Sequence, residues 1–157
     1  MDIRKVFDAT AAGAAFYDFE WYAADASGRL AVFTSSGSGP IPRSVFSSRD
    51  AYVALASFLE NRPLSPLCTL NSNAEGDLWF WAESARRGLY GYDWNAPAGA
   101  RAPRAPYRWV ATPEISLSAD ALPPSIARYV RATCFQGIAF GQDLEIAVER
   151  HFSDLVY

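Results

Sequence analysis

The alternation of apolar and polar positions is clearest near the start of the chain. In Phe19–Glu20–Trp21–Tyr22–Ala23–Ala24, aromatic residues alternate with smaller or polar ones. Asp25–Ala26–Ser27–Gly28 then carries turn chemistry, and Arg29 to Thr34 resumes a β-branched and aromatic run. Two such runs around a short Gly-containing connection predict a β-hairpin. Strand side chains alternate, so Phe19, Trp21 and Ala23 share one face and Glu20, Tyr22 and Ala24 the other. Ser35 to Pro40 breaks the strand, and Pro42 holds the exit extended. The hairpin is expected to organise the sheet, with Trp21 in the core.

Helical spacing of Ile3, Phe7, Ala11 and Ala14 predicts a short helix or an ordered arm within Met1–Ala15. Ser47 and Asp50 approximate a capping box before Ala51–Arg62, where Tyr52, Leu55, Ala56 and Leu59 form one apolar face and Pro63 ends the segment. After a Pro-, Ser- and Asn-rich loop, Asp77–Ala82 and Leu89–Trp94 read as a second hairpin, with Arg86, Arg87 and Gly88 at its turn. Trp79 and Trp81 would occupy one face of its first strand and Leu78 and Phe80 the other. Both faces are then apolar, as in a strand covered on both sides, which puts Trp79 in the core. Residues 95–106, rich in Ala, Pro and Gly, predict a mobile surface loop.

Tyr107, Trp109 and Ala111 alternate with Arg108 and Val110 as another strand, closed by Pro113. Pro123–Pro124 suits the first turn of a helix over Ser125–Thr133, with Ile126, Tyr129 and Val130 inward. Within Gln142–Phe152, Leu144, Ile146 and Val148 alternate as in a strand, while Leu144, Val148 and Phe152 recur at helical spacing; the strand is preferred. The expected fold is a single α+β domain: a mainly antiparallel sheet of two hairpins plus later strands, with helices near 49–62 and 124–133 covering one face.

Composition narrows the function. The 157-residue chain carries a net charge of −3, so no global field draws it to nucleic acid or anionic lipid. Lys5 is its one lysine. Cys68 and Cys134 lack disulfide-framework or metal-ligand spacing and read as buried thiols in a reducing cytoplasm. The run Ala11–Ala15 behind Arg4–Lys5 resembles a weak signal peptide, but Asp2 and Asp8 interrupt it, so a cytoplasmic location is expected. No stretch is long and apolar enough to predict a membrane span.

No catalytic motif names an activity. His151, the sole histidine, has no nucleophile at motif spacing, and Ser36–Pro40 lacks the lysine and following helix of a phosphate loop. No cofactor or metal is implied. Asp18 and Glu20 on one strand, with Asp77 and Asp93 flanking the second hairpin, could form a carboxylate pocket. The preferred reading is that they are edge charges that keep the sheet soluble and block edge pairing. Arg86, Arg87, Arg101, Arg104 and Arg108 beside Tyr90, Tyr92 and Tyr107 offer chemistry for single-stranded RNA, which the acidic balance disfavours. The aromatic excess suits protein recognition.

DFEWYAADASGRLAVFTSSGSGPIPRSVF, followed by GLYGYDW, resembles a group of small bacterial proteins opening E-W-(Y/F)-A-x-D-x-x-G-x-(L/I)-A-x-F-T-(S/T)-x-G-x-G-P-(I/V)-P. That group is similar in size and composition to immunity proteins carried beside polymorphic or contact-dependent toxins. The resemblance implies a non-enzymatic inhibitor that occludes the active site of a cognate toxin domain, a basic nuclease suiting an acidic inhibitor. The expected contact residues are Asp77, Glu83, Tyr90, Tyr92 and Asp93 of the second hairpin, with Arg43 of the Ser35–Arg43 loop. The alternatives are a small enzyme or ligand-binding domain using Asp18, Glu20 and Asp93, and then an RNA-binding module.

Overall fold

The computed structural model describes residues 2–14, 17–94 and 106–157; the loop expected over 95–106 falls, apart from Pro106, outside the described residues. Helix α1 (Ile3–Ala11) opens the chain, capped by the Asp2 side chain on the Arg4 N–H at 3.0 Å. Strands β1 (Glu20–Asp25) and β2 (Leu30–Thr34) form the expected antiparallel hairpin, with Trp21 opposite Phe33 and Tyr22 opposite Val32. Asp25 builds its turn. The buried carboxylate accepts the backbone N–H groups of Ser27 and Arg29, the Arg29 guanidinium and the Phe140 N–H.

The following elements are β3 (Ile41–Pro42), α2 (Arg49–Glu60), β4 (Cys68–Leu70), α3 (Leu78–Arg86), β5 (Tyr90–Trp94), β6 (Tyr107–Pro113), α4 (Pro124–Arg131), β7 (Cys134–Phe135), β8 (Glu145–Ile146) and β9 (Leu155–Val156). The α+β class holds. The main sheet has seven strands in the order β4-β6-β5-β2-β1-β7, with β8 beside β6, while β3 and β9 form a separate pair. Most of its pairings are antiparallel, as expected, but the sheet is mixed rather than purely antiparallel. Both β2–β5 and β1–β7 are parallel pairs; a parallel return needs a long crossover, which for β2–β5 is the segment carrying α2 and α3.

The second hairpin is not formed. Its first half is helix α3, because Asp77 caps the Phe80 N–H at 3.1 Å and Trp81, Ser84 and Ala85 fall on one helical stripe that is buried. Gly88 ends the helix rather than turning a hairpin. At φ 102° it donates its N–H to Ala85 O, and Leu89 donates to Ser84 O, the paired bonds of a Schellman C-cap. The strand preferred over 142–152 is also reduced: beyond a single bridge of Asp143 to Phe140, strand pairing is confined to Glu145–Ile146, and a 3₁₀ turn takes Val148–Arg150. Ser48, one residue after the expected Ser47, caps α2 through the Ala51 N–H.

The core centres on Trp21. It is fully buried, stacked on Phe33 with centroids 4.1 Å apart and edge-on to Tyr107 at 5.5 Å. Its indole N–H donates to the Tyr107 hydroxyl at 3.3 Å, which in turn donates to Pro40 O at 3.0 Å. Phe135 and Phe140 close over this face of the sheet through Phe33. On the opposite face Tyr52 of α2 lies against Tyr22, and the Trp81 ring of α3 sits where a side chain on Gly91 would be. Gly39 lets the chain pass Tyr107 and Trp94: a Cβ there would come within 2.5 Å of the Tyr107 hydroxyl and 2.8 Å of the Trp94 ring.

Candidate partner-binding surface

Strand pairing places directly opposed residues on one face of a sheet. Glu20 faces Thr34, Thr34 faces Asp93, Asp93 faces Arg108 and Arg108 faces Glu145. A single polar row therefore crosses β1, β2, β5, β6 and β8 at one end of the sheet, on the face that carries α2 and α3. Asp18 joins it through Ser36. The Ser36 N–H donates to Asp18 Oδ1 at 2.8 Å and its hydroxyl to Asp93 Oδ1 at 3.2 Å, while Thr34 Oγ1 donates to the same Asp93 oxygen at 2.5 Å. Ser36 holds φ 47°, the one non-glycine in the left-handed region among the described residues. That backbone turn aims both of its donors at the two carboxylates.

The like charges are felt. Burial lifts the Asp18 carboxyl above its ordinary range, against the Ser36 hydrogen bond, and Asp93 adds to the rise. Partial burial also lifts Glu20, followed by the charges of Asp18 and Glu60; both carboxylates keep exposed surface, so water screens these effects. Arg108 reaches Glu145 at 3.5 Å across exposed surface.

Two hollows flank this row. One, of about 510 Å³, is lined by Asn71, Glu75, Asp93, Arg108, Trp109 and Glu145 among others. The other, of about 410 Å³, lies between α2 and α3. Its walls carry Glu20, Glu60, Glu83 and Arg87, and Tyr22, Val32, Leu59 and Leu89 give it an apolar lining. Glu75 precedes α3 and lines the first hollow, while Phe80 and Glu83 line the second, so the opening turn of α3 stands between them. That turn exposes Leu78 at 45% and Trp79 at 69%.

Trp79 corrects the expectation of a core residue. In a strand it would share a face with Trp81; in a helix, two residues are about 200° apart, so Trp81 turns in and Trp79 out. Asp77 is exposed as the α3 cap, and Glu83 is half-buried, 3.6 Å from Arg87. Asp93 is half-buried in the row. Tyr90 and Tyr92, expected as contacts, are buried because parallel pairing puts β5 inside the sheet. The Tyr92 hydroxyl donates to Asp143 O at 2.7 Å and is pushed up to about 12 by burial, while Tyr90 accepts from Arg29 at 3.2 Å. Arg43 is exposed elsewhere, paired with Asp154 at 2.9 Å beside His151 and Phe152. Most of the Ser35–Arg43 loop is buried.

The RNA platform is not assembled from the expected tyrosines. Tyr90, Tyr92 and Tyr107 are all buried, and Arg87 and Arg108 are paired with glutamates. Arg101 and Arg104 lie outside the described residues. Cys68 and Cys134, expected to be buried, are free and half-buried. His151 is exposed with its ring edge-on to Phe135.

Among the described residues no group of three or more His, Cys, Asp or Glu is placed to hold a metal ion, and no helix is long and apolar enough to cross a membrane. Comparison with known protein families, characterised proteins and solved structures returns no significant match.

Sequence reasoning missed Trp79, Leu78, Thr34, Ser36, Glu60 and Arg108 as members of this surface. The signal for the first two was present: Asp77 at a cap position and Gly88 just beyond a ten-residue span mark helix ends.

Proposed function

We propose that this chain is a partner-binding inhibitor of the immunity type, which holds a cognate bacterial toxin domain in the cytoplasm and covers its active site without chemistry of its own. The observation that carries this reading is the exposure of Leu78 and Trp79 on a capped helix that is otherwise packed onto the sheet. Trp is the residue most enriched at protein–protein hot spots. A Trp beside an apolar Leu on a helix already packed to the sheet needs no ordering of its backbone on docking. Inhibition by occlusion asks for nothing more than such an anchor with complementary charge around it.

The test is co-expression with the product of the reading frame immediately upstream of its gene. Rescue of growth together with a purifiable complex supports the reading; growth arrest with no complex removes it.

A second reading, a small enzyme or ligand-binding domain, draws on the gathering of Asp18, Glu20 and Asp93 at one end of the sheet around Ser36. It requires these acids to act on a bound molecule. Asp93→Asn would then abolish turnover or ligand binding with the fold intact.

A further inference from the structure

Resting on the partner-binding reading, the inference here concerns what the partner presents and where it sits. Trp79 does not stand on neutral ground. Asp77 and Glu83 on its helix are balanced by Arg86 and Arg87 at the far end, but Glu75 lines the hollow on one side, and Glu20 and Glu60 line the groove on the other. Against them the described residues of the two hollows set only Arg87 and Arg108, each already beside a glutamate. The remaining described ion pairs, such as Arg43–Asp154, Arg49–Asp8 and Arg131–Asp120, join residues that line neither hollow. The acidic excess is therefore concentrated where the exposed apolar turn is.

The groove between α2 and α3 has the form of a slot for a long cation. Its acids lie on the walls, from Glu20 on β1, Glu60 on α2 and Glu83 on α3, while Tyr22, Val32 and Leu89 supply apolar surface below. Apolar lining suits the methylene stem of an arginine or lysine and carboxylates suit its head. A cation there would also relieve the mutual repulsion of Glu20 and Glu60.

We infer that the partner docks across α3 with a basic surface, an apolar recess closing over Leu78 and Trp79 and a long cationic side chain entering the α2–α3 groove. Such a surface matches an enzyme that acts on a polyanion. The inhibitor's carboxylates would then occupy positions otherwise taken by phosphates.

The test uses the whole 157-residue chain and the purified upstream-encoded protein, with binding measured for wild type, Trp79→Ala, Glu83→Lys, Glu60→Lys and Arg43→Glu. Thermal melts of each variant confirm that it is folded. Trp79→Ala and each charge reversal should weaken binding at least 30-fold, and Arg43→Glu less than threefold. The wild-type association rate should fall at least tenfold between about 50 and 500 mM salt, as expected for encounter between opposite charges. Tight wild-type binding that ignores the α3 and groove variants would overturn this inference while leaving the partner-binding reading in place. Absence of wild-type binding would overturn both.

Discussion

Trp79 and Trp81 lie two positions apart on α3 and face opposite environments: Trp79 is 69% exposed, whereas Trp81 is 3% exposed and fills the space above Gly91. One helix thus uses one tryptophan to hold itself to the sheet and presents the other. The pair separates stability from recognition in a way that substitutions can test.

Trp81→Ala should cost about 3–5 kcal/mol of unfolding free energy, the usual range for removing a large buried aromatic. Trp79→Ala should change it by less than about 0.5 kcal/mol, as for most surface substitutions. Urea unfolding of the two variants measures both. Equal losses would mean that α3 is not oriented as described.

Gly91→Ala should act like a partial loss of Trp81. A Cβ at this position would meet the Trp81 ring at 2.7 Å and its neighbouring atom at 2.9 Å, so the indole must move. Overpacking of this kind costs about 1–3 kcal/mol. The double variant Gly91→Ala with Trp81→Leu should lose less than the two single changes added together, since residues in contact do not behave independently.

Asp25 offers the strongest polar test. Its carboxylate is fully buried yet joins the hairpin turn, Arg29 and the Phe140 N–H. Asp25→Ala leaves these donors without their acceptor and should destabilise by about 3–5 kcal/mol. Asp25→Asn keeps the shape and part of the bonding, and should fall between this variant and wild type in chemical denaturation.

The row at the sheet end predicts a pH effect. Glu20 and Asp18 have carboxyl groups lifted in the folded chain, Glu20 by burial and by Asp18 and Glu60, Asp18 by burial and by Asp93. Folding therefore favours their protonated forms. The stability they contribute is full below the ordinary carboxylate range and is lost as pH rises through the lifted folded values. Because Glu20 keeps exposed surface and water screens its neighbours, Glu20→Gln should raise the melting temperature near pH 7 by no more than about 1 °C, and the gain should vanish near pH 4. A lower melting temperature at neutral pH would show that Glu20 is stabilised as a carboxylate.

Much of this fold could be read from the sequence, and the misses have definite causes. The β1–β2 hairpin, α2, β6 and α4 carry strong local periodicity and capping, and each formed with bounds close to those expected. α3 was hidden because Trp79, Phe80 and Trp81 are residues of high strand propensity, and Gly88 serves a helix end as readily as a hairpin turn. The parallel β2–β5 contact is a tertiary choice with no local signal, and on it depend both the burial of Tyr90 and Tyr92 and the meeting of Asp93 with Thr34. Asp18, Glu20 and Asp93 could be named from the sequence; that Ser36 would draw two of them together could not.

The central claim, that recognition runs through the exposed turn of α3, is most directly tested by hydroxyl-radical footprinting of the free chain and of its complex with the upstream-encoded protein. In the free chain Trp79 should be the most readily oxidised of Trp21, Trp79 and Trp81, in keeping with their exposures of 0%, 69% and 3%. In the complex Trp79 and Leu78 should be protected at least fivefold, while His151 and Phe152 on the Arg43 side keep their labelling. A stable complex in which Trp79 is oxidised as fast as in the free chain would contradict the account.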